Sequence, residues 1–317
     1  MIVKKILKWV LIVILALVLT VVAITLLTPV PKNPDLDLAL LRQEVEQPYH
    51  LLETSDGETL FVRRWDPVDS LTKKGVAVLI LHGITAHSKA YDFMAKPISN
   101  AGYTTFGLDY RGHGLSGGPR GDSPGKERSK ADYLETVQFI KELGYSKIIV
   151  IGHSFGVASA IFLAKLAPDQ LDGLVLLSGA YEGKLPPREF NWFEKLTIIT
   201  NSVIRPSTAV IAYERDGMEK REDPLFNYVY TLRFATMLDD QSELVFQDEP
   251  PMPVLVGVGD RDELFTVDAV RELYNGIPGD NKEFWVIENA LHATFPPSCW
   301  NELVDWLDRQ HFDSAPM

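Results

Sequence analysis

Gly152-His153-Ser154-Phe155-Gly156 sets a serine between two glycines, directly after the apolar run Lys147–Ile151 (KIIVI) and before the helix-like Val157–Leu166. In that context the pentapeptide makes a sharp strand-to-helix turn. The glycines leave room for it, and the serine hydroxyl stands above the sheet edge. The helix behind it offers free N–H groups and the positive end of its dipole. A serine hydroxyl is a weak nucleophile and needs a base, and the base needs a carboxylate to orient it. For a serine on this kind of turn the chain order is serine, acid, histidine. Beyond Ser154 the histidines are His292 and His311. His292 follows the strand-like EFWVI and is the candidate base, whereas His311 lies close to the C-terminus and reads as solvated. The acid belongs after PVLVGV, where Gly259-Asp260-Arg261-Asp262-Glu263 offers carboxylates at 260, 262 and 263. Position gives Asp262 a modest edge. Asp260 could instead hold the turn through its own backbone, and Glu182 is a remote alternative.

Acyl chemistry at a serine also needs two backbone N–H donors aimed at the developing oxyanion. One falls to Phe155, the residue after the serine. The other falls to Ile84, in the loop Leu81-His82-Gly83-Ile84-Thr85, where Gly83 lets the backbone turn close to a substrate. Both assignments come through the fold, since a backbone donor does not depend on side-chain identity.

These residues need a scaffold that delivers them to one edge. Val76–Leu81 (VAVLIL), Tyr103–Leu108, Lys147–Ile151, Leu174–Leu177, Pro253–Val258 and Glu283–Ile287 read as strands, several apolar throughout as in a strand buried on both faces. Helical spacing marks Tyr91–Asn100, Lys130–Leu143, Val157–Leu166, Val267–Tyr274 and Pro297–Leu307. This alternation predicts an α/β fold, a mostly parallel sheet flanked by helices. Ahead of it, Tyr49–Glu53 and Thr59–Trp65 flank Ser55-Asp56-Gly57 as a hairpin that adds antiparallel strands at one edge. Residues 181–250 break the alternation. This helix-like stretch, with Phe190, Trp192, Phe193, Phe226, Tyr228, Tyr230 and Phe234, reads as a cap inserted between two strands, its aromatics more core than ligand wall.

Residues 9–27 (WVLIVILALVLTVVAITLL) carry no charge. As a helix the run reaches roughly 28 Å, one bilayer core. Lys4, Lys5 and Lys8 precede it, and Asp35, Asp37, Glu44 and Glu46 outnumber Lys32 and Arg42 after it. The positive-inside rule then sets the N-terminus in the cytoplasm and the rest on the periplasmic or extracellular side. A cleaved signal peptide is the competing reading. Its apolar run is about 7–15 residues and ends in a small-x-small site, whereas this run ends in Leu26-Leu27-Thr28-Pro29. The expected organisation is an anchor over 1–28, a linker with a short helical patch over 29–47, and one domain over 48–317 carrying the cap. A net charge of −12 argues against a nucleic-acid partner. With Cys299 the single cysteine, neither an intrachain disulfide nor a Cys-based zinc site is possible.

From about residue 48 to 310 the chain resembles the α/β-hydrolase family, and most of all its monoacylglycerol lipase and lysophospholipase branch, the serine aminopeptidase-like hydrolases. The likeness is carried by His82-Gly83, Ala86-His87-Ser88 and Tyr91, and by Asp109-Tyr110-Arg111-Gly112-His113-Gly114-Leu115-Ser116-Gly117, a D-x-R-G-H-G-x-S segment. It continues in Pro119-Arg120-Gly121, Tyr133, Glu222-Asp223-Pro224-Leu225 of the cap, Gly259 with Asp262, and His292. The resemblance tips the acid to Asp262. It implies a helical cap, a Ser154–His292–Asp262 triad and an acyl-enzyme, with no metal or organic cofactor. A serine at the elbow argues against the family's dehalogenase and epoxide-hydrolase branches, which use an aspartate there. The first loop departs from the pattern, reading HGITAHS where many relatives carry a further glycine or acidic residue. The apolar N-terminal segment is not a general feature of the family.

The expected substrate is a small amphiphilic ester, a single-chain lipid of the monoacylglycerol or lysophospholipid type. Two alternatives stay open: a peptidase or arylamidase of the same family, and a membrane-tethered binding protein without catalysis. Arg111 and His113 are expected to brace their loop and His153 to support the elbow. No metal cluster completes His82 and His87, and Cys299 reads as a packed thiol.

Overall fold

The computed structural model describes residues 2–68, 74–181, 189–213, 222–238 and 240–312. The chain begins with α1 (Ile2–Leu27), long and apolar enough to cross a membrane, a property that anchors and signal sequences share. The short helical patch of the linker is α2 (Leu38–Gln43), capped by Asp37, whose side chain accepts from the Leu40 amide. The hairpin β1 (Tyr49–Glu53) and β2 (Thr59–Trp65) follows, and Gly57 takes a φ of +82° in its turn.

The remaining strands of the main sheet are β3 (Val76–Leu81), β4 (Thr104–Leu108), β5 (Lys147–His153), β6 (Gly173–Leu177), β9 (Val254–Gly259) and β10 (Lys282–Ile287). Two short strands, β7 (Ile211–Ala212) and β8 (Val229–Tyr230), pair with each other in the cap. The eight-stranded sheet runs β1-β2-β4-β3-β5-β6-β9-β10. Its β1–β2 and β2–β4 pairs are antiparallel and the others parallel, as the alternation of elements predicts.

Each central strand feeds two cores. Ala77, Leu79 and Leu81 of β3 point to one face, with α4 (Lys126–Glu142), α5 (Phe155–Leu166) and α8 (Val267–Gly276). Val76, Val78 and Ile80 point to the other, with α3 (Asp92–Asn100) and α9 (Cys299–Arg309). This two-residue alternation within a fully apolar run is what burial on both faces requires.

Element boundaries shift where polar sequence hides them. α4 starts four residues before the apolar spacing does, because Gly125, at φ +146°, turns the chain into a polar first turn. α9 starts at Cys299 rather than Pro297; the Cys299 amide closes on the Pro296 carbonyl at 3.1 Å. The cap contains α6 (Trp192–Ile204), α7 (Leu232–Ala235) and the β7–β8 pair, so it is not purely helical. Its aromatics divide. Phe226, Tyr230 and Phe234 are buried, whereas Trp192 and Phe193 are exposed.

Candidate active site

The C-terminal ends of the parallel strands carry the candidate residues, the edge where open α/β sheets place their ligands. Ser154 follows β5 at φ +57° and ψ −120°. That strained backbone is held at both ends: the Ser154 amide donates to the Leu177 carbonyl of β6, and its carbonyl accepts from Val157, each at 2.9 Å. The flanking glycines are required by contact. A Cβ on Gly152 would sit 2.2 Å from the Gly156 carbonyl oxygen, and one on Gly156 would sit 2.0 Å from that of Leu81.

β9 and β10 pair to their ends, Gly259 opposite Ile287, so the loops after them leave the sheet side by side. A Cβ on Gly259 would meet the Ala290 carbonyl oxygen at 2.2 Å; only glycine lets the loop of His292 cross so close. The two loops bring His292 Nδ1 to 3.1 Å from Asp262 Oδ2 and His292 Nε2 to 2.9 Å from Ser154 Oγ. Asp262 Oδ1 accepts from the Leu264 and Phe265 amides at 2.8 and 2.9 Å. The turn-holding role considered for Asp260 therefore falls to Asp262, and Asp260 is exposed. Burial works against ionisation of Asp262. The hydrogen bond and charge interaction with His292, and the two amides, prevail and hold the carboxyl below its usual range. Glu263, the third carboxylate, accepts from the His292 amide at 2.8 Å. Glu182 lies outside the described residues, and His311 is exposed.

Gly83 passes directly against the serine: a Cβ there would lie 3.3 Å from Ser154 Cβ and 3.7 Å from its Oγ. Ile84 is the next residue. Phe155 opens α5, so its amide is among the first-turn donors that no helical carbonyl satisfies.

A buried relay ties these loops together. The Gly83 amide donates to Tyr91 Oη at 2.7 Å, Tyr91 Oη lies 2.7 Å from His153 Nδ1, and His153 Nε2 lies 2.8 Å from the His292 carbonyl oxygen. The carbonyl can only accept, so Nε2 carries the proton. Burial, then the His292 charge, push the His153 pKa down to about 3, so the ring is neutral and its Nδ1 accepts from the tyrosine hydroxyl. Sequence alone offers Glu263 only as a candidate acid and gives Tyr91 no role, because contacts between loops distant in the chain leave no local pattern. Tyr91→Phe is expected to leave the Gly83 amide and His153 Nδ1 unpaired. The cost is about 2 kcal/mol of stability, read as a lower denaturation midpoint with the sheet intact.

The second motif braces this edge. Asp109, after β4, accepts from the Ser88 and Leu115 amides at 2.5 and 2.7 Å. Arg111 grips Asp132 through two hydrogen bonds, at 2.9 and 2.8 Å, and also reaches Asp56. His82, its pKa lowered by burial to about 4, accepts from the Tyr110 amide through Nε2. The cap closes on the same loops. His87 meets Asp223 at 3.0 Å, Asn227 donates to the Gly112 carbonyl at 2.7 Å, and Tyr230 Oη donates to the Ile84 carbonyl at 2.9 Å.

The family model Hydrolase_4, described as serine aminopeptidase, S33, matches residues 72–296. The chain belongs to this family of α/β-hydrolases. The hydrolase is 34% identical over 257 residues to the uncharacterized protein YnbC of Escherichia coli (strain K12), a match covering 77% of this chain and 43% of that protein. It is 33% identical over 130 residues to the monoglyceride lipase of Mus musculus, covering 40% of this chain and 41% of that one. The matches thus span less than half the length of these two relatives. Among solved structures, the monoacylglycerol lipase of Paleococcus ferrophilus shares the fold of the hydrolase at a TM-score of 0.63. It is 22% identical, with 79% of this chain and 99% of that chain covered.

Proposed function

We propose that this hydrolase cleaves carboxylic esters of single-chain lipids, of the monoacylglycerol or lysophospholipid type, with Ser154, His292 and Asp262 as its triad. The observation that carries the reading is the line of hydrogen bonds from Ser154 Oγ through both nitrogens of His292 to Asp262. His292 Nε2 takes the hydroxyl proton as Oγ attacks the acyl carbonyl. Asp262 holds the imidazole tautomer and stabilises the imidazolium. The Ile84 and Phe155 amides meet the oxyanion. Collapse expels the alcohol, which takes the proton from His292. Water then attacks the acyl-enzyme with His292 as base, and fatty acid leaves. These steps call for no metal or organic cofactor.

The lipid class is supported by the apolar cap, by α1, and by the monoglyceride and monoacylglycerol lipases among the similar proteins. In the same reading residues 9–27 are retained as a single-pass anchor. Lys4, Lys5 and Lys8 hold the N-terminus in the cytoplasm, and the catalytic domain lies outside.

A rate panel tests this. The full chain in detergent micelles is offered short, medium and long acyl esters, a monoacylglycerol, a lysophospholipid and a small peptide amide, beside an organophosphonate that traps reactive serines. Medium- or long-chain ester cleavage, with one adduct on the Ser154 peptide, is the expected result. Amide cleavage alone would move the assignment to the peptidase that the family description names. An intact chain with neither turnover nor adduct would favour a binding role.

A further inference from the structure

α6 turns its apolar side outward. Its buried residues are Ile198 and the polar Asn201, whereas Trp192, Leu196, Ile199 and Val203 are 75%, 43%, 58% and 78% exposed. Recurring every three to four residues, these four line up on one face of the helix, a stripe of the kind a globular protein ordinarily buries.

The segment leading into the domain carries a second observation. α1 is bare along its length except in its last turns, where Val22 is half-buried and Thr25 buried. There Arg205, just past α6, donates to the Thr25 carbonyl at 2.8 Å. Further on, Asn33 is buried in the cap. Its Nδ2 donates to the Val229 carbonyl at 2.7 Å, and its Oδ1 accepts from the Tyr228 and Val229 amides at 2.8 and 3.0 Å. Arg42, in α2, donates through Nε and Nη2 to the Leu115 carbonyl at 2.9 and 2.7 Å. This segment is therefore a strap bonded to the cap and to the loop after β4. A free tether would make no such bonds.

We propose that the strap seats α6 in the interfacial layer of the bilayer that α1 crosses, with the Trp192–Val203 stripe turned toward the acyl chains. The inference rests on the anchor reading of α1. The bilayer is the occupant because the Arg205–Thr25 bond sets the end of α6 beside the last turns of α1. A helix is only about 10 Å across, so α6 lies at the depth of the membrane surface. Its composition suits that place, with a tryptophan at one end, an apolar side, and an arginine beyond the other end. The strap thereby holds the domain in one orientation, cap toward the lipid.

The test uses the full chain reconstituted in phosphatidylcholine vesicles, with a nitroxide on one introduced cysteine at a time. The native Cys299 is buried and its thiol is pushed up to about 12, chiefly by burial, so it stays unlabelled. Labels on Ile199→Cys and Val203→Cys are expected at the headgroup–acyl boundary, by their access to oxygen against a nickel chelate. A label on Ile14→Cys should lie in the hydrocarbon centre and one on Arg309→Cys in water. Water-like labels at 199 and 203 beside a lipid-buried label at 14 would overturn the seating and leave the anchor standing. A water-like label at 14, or a mature chain that lacks it, would overturn the anchor reading and the seating with it. Protection at 199 and 203 that disappears on dilution to one chain per vesicle would mark a second copy of the chain as the occupant and overturn the bilayer assignment. In a parallel assay, Ile199→Glu combined with Val203→Glu is expected to slow hydrolysis of vesicle-embedded monoacylglycerol ~10-fold while a short soluble ester is cleaved as before. Equal loss on both substrates would count against the proposal.

Discussion

Asp262→Asn is expected to lower kcat for ester hydrolysis by about 10⁴-fold, while the protein stays folded. The asparagine keeps a carbonyl oxygen that can still accept from the Leu264 and Phe265 amides, which Asp262 Oδ1 now holds at 2.8 and 2.9 Å. The loop therefore keeps its shape. The amide nitrogen would then face His292 Nδ1 in place of Oδ2, now 3.1 Å away. Two N–H groups cannot share that position, so Nδ1 must accept and the ring proton moves to Nε2. Nε2, 2.9 Å from Ser154 Oγ, then holds a proton where it must receive one. A rate series at saturating substrate, with circular dichroism as the folding control, checks this. A variant within tenfold of the parent would remove Asp262 from the role of orienting acid and bring Glu263, which holds the His292 amide, back into contention.

The second large effect is on stability in acid. His82, His113 and His153 are all buried and all held below the ordinary histidine pKa by burial first, to about 4 for His82 and about 3 for His153. Because the folded pKa values lie below the unfolded one, the unfolded chain binds protons more readily. Their full contribution is present above about pH 6.5 and is lost as pH falls toward the folded values. Each histidine that stays neutral in the folded chain then costs about 1.4 kcal/mol per pH unit, so His82 and His153 together reach about 3 kcal/mol per unit near pH 5, and His113 acts in the same direction. That is large against a typical folding free energy of about 5–15 kcal/mol. The depressed carboxylates, Asp56 and Asp92 at about 2 among them, act in the same direction but at lower pH. Urea midpoints of the full chain in micelles should therefore fall steeply between about pH 6.5 and 5, before carboxylates titrate. A midpoint flat over that window would mean that these histidines take up protons without unfolding.

What the residues disclosed in advance follows physical range. The elbow is a local event: a strand, two glycines and a helix within one short stretch, each with its own period or torsional need. The residues proposed as partners of Ser154 were legible as candidates because chain order and the ends of apolar strands confine them. Among the carboxylates at 260, 262 and 263, position separated candidates only weakly. The structure separates them by burial and by the amides that face Asp262. What sequence could not show joins distant parts of the chain. Tyr91 bridges the Gly83 loop to His153, and Asn33 bonds a strand 196 residues away. No periodicity encodes such pairs. The outward side of α6 was not legible: the aromatics of the cap read mostly as core, whereas Trp192 and Phe193 face outward.

Ser154 and His292, whose atoms meet at 2.9 Å, are 138 residues apart in the chain. Closing a loop of that length is entropically costly, and contacts of such range form late in folding. His292 and Asp262 arrive on the loops after the two strands at the far edge of the sheet, later in the chain than the elbow. In the proposed mechanism hydrolytic competence is thus a property of the finished sheet, and a chain synthesised only as far as the cap carries Ser154 without the histidine assigned as its base.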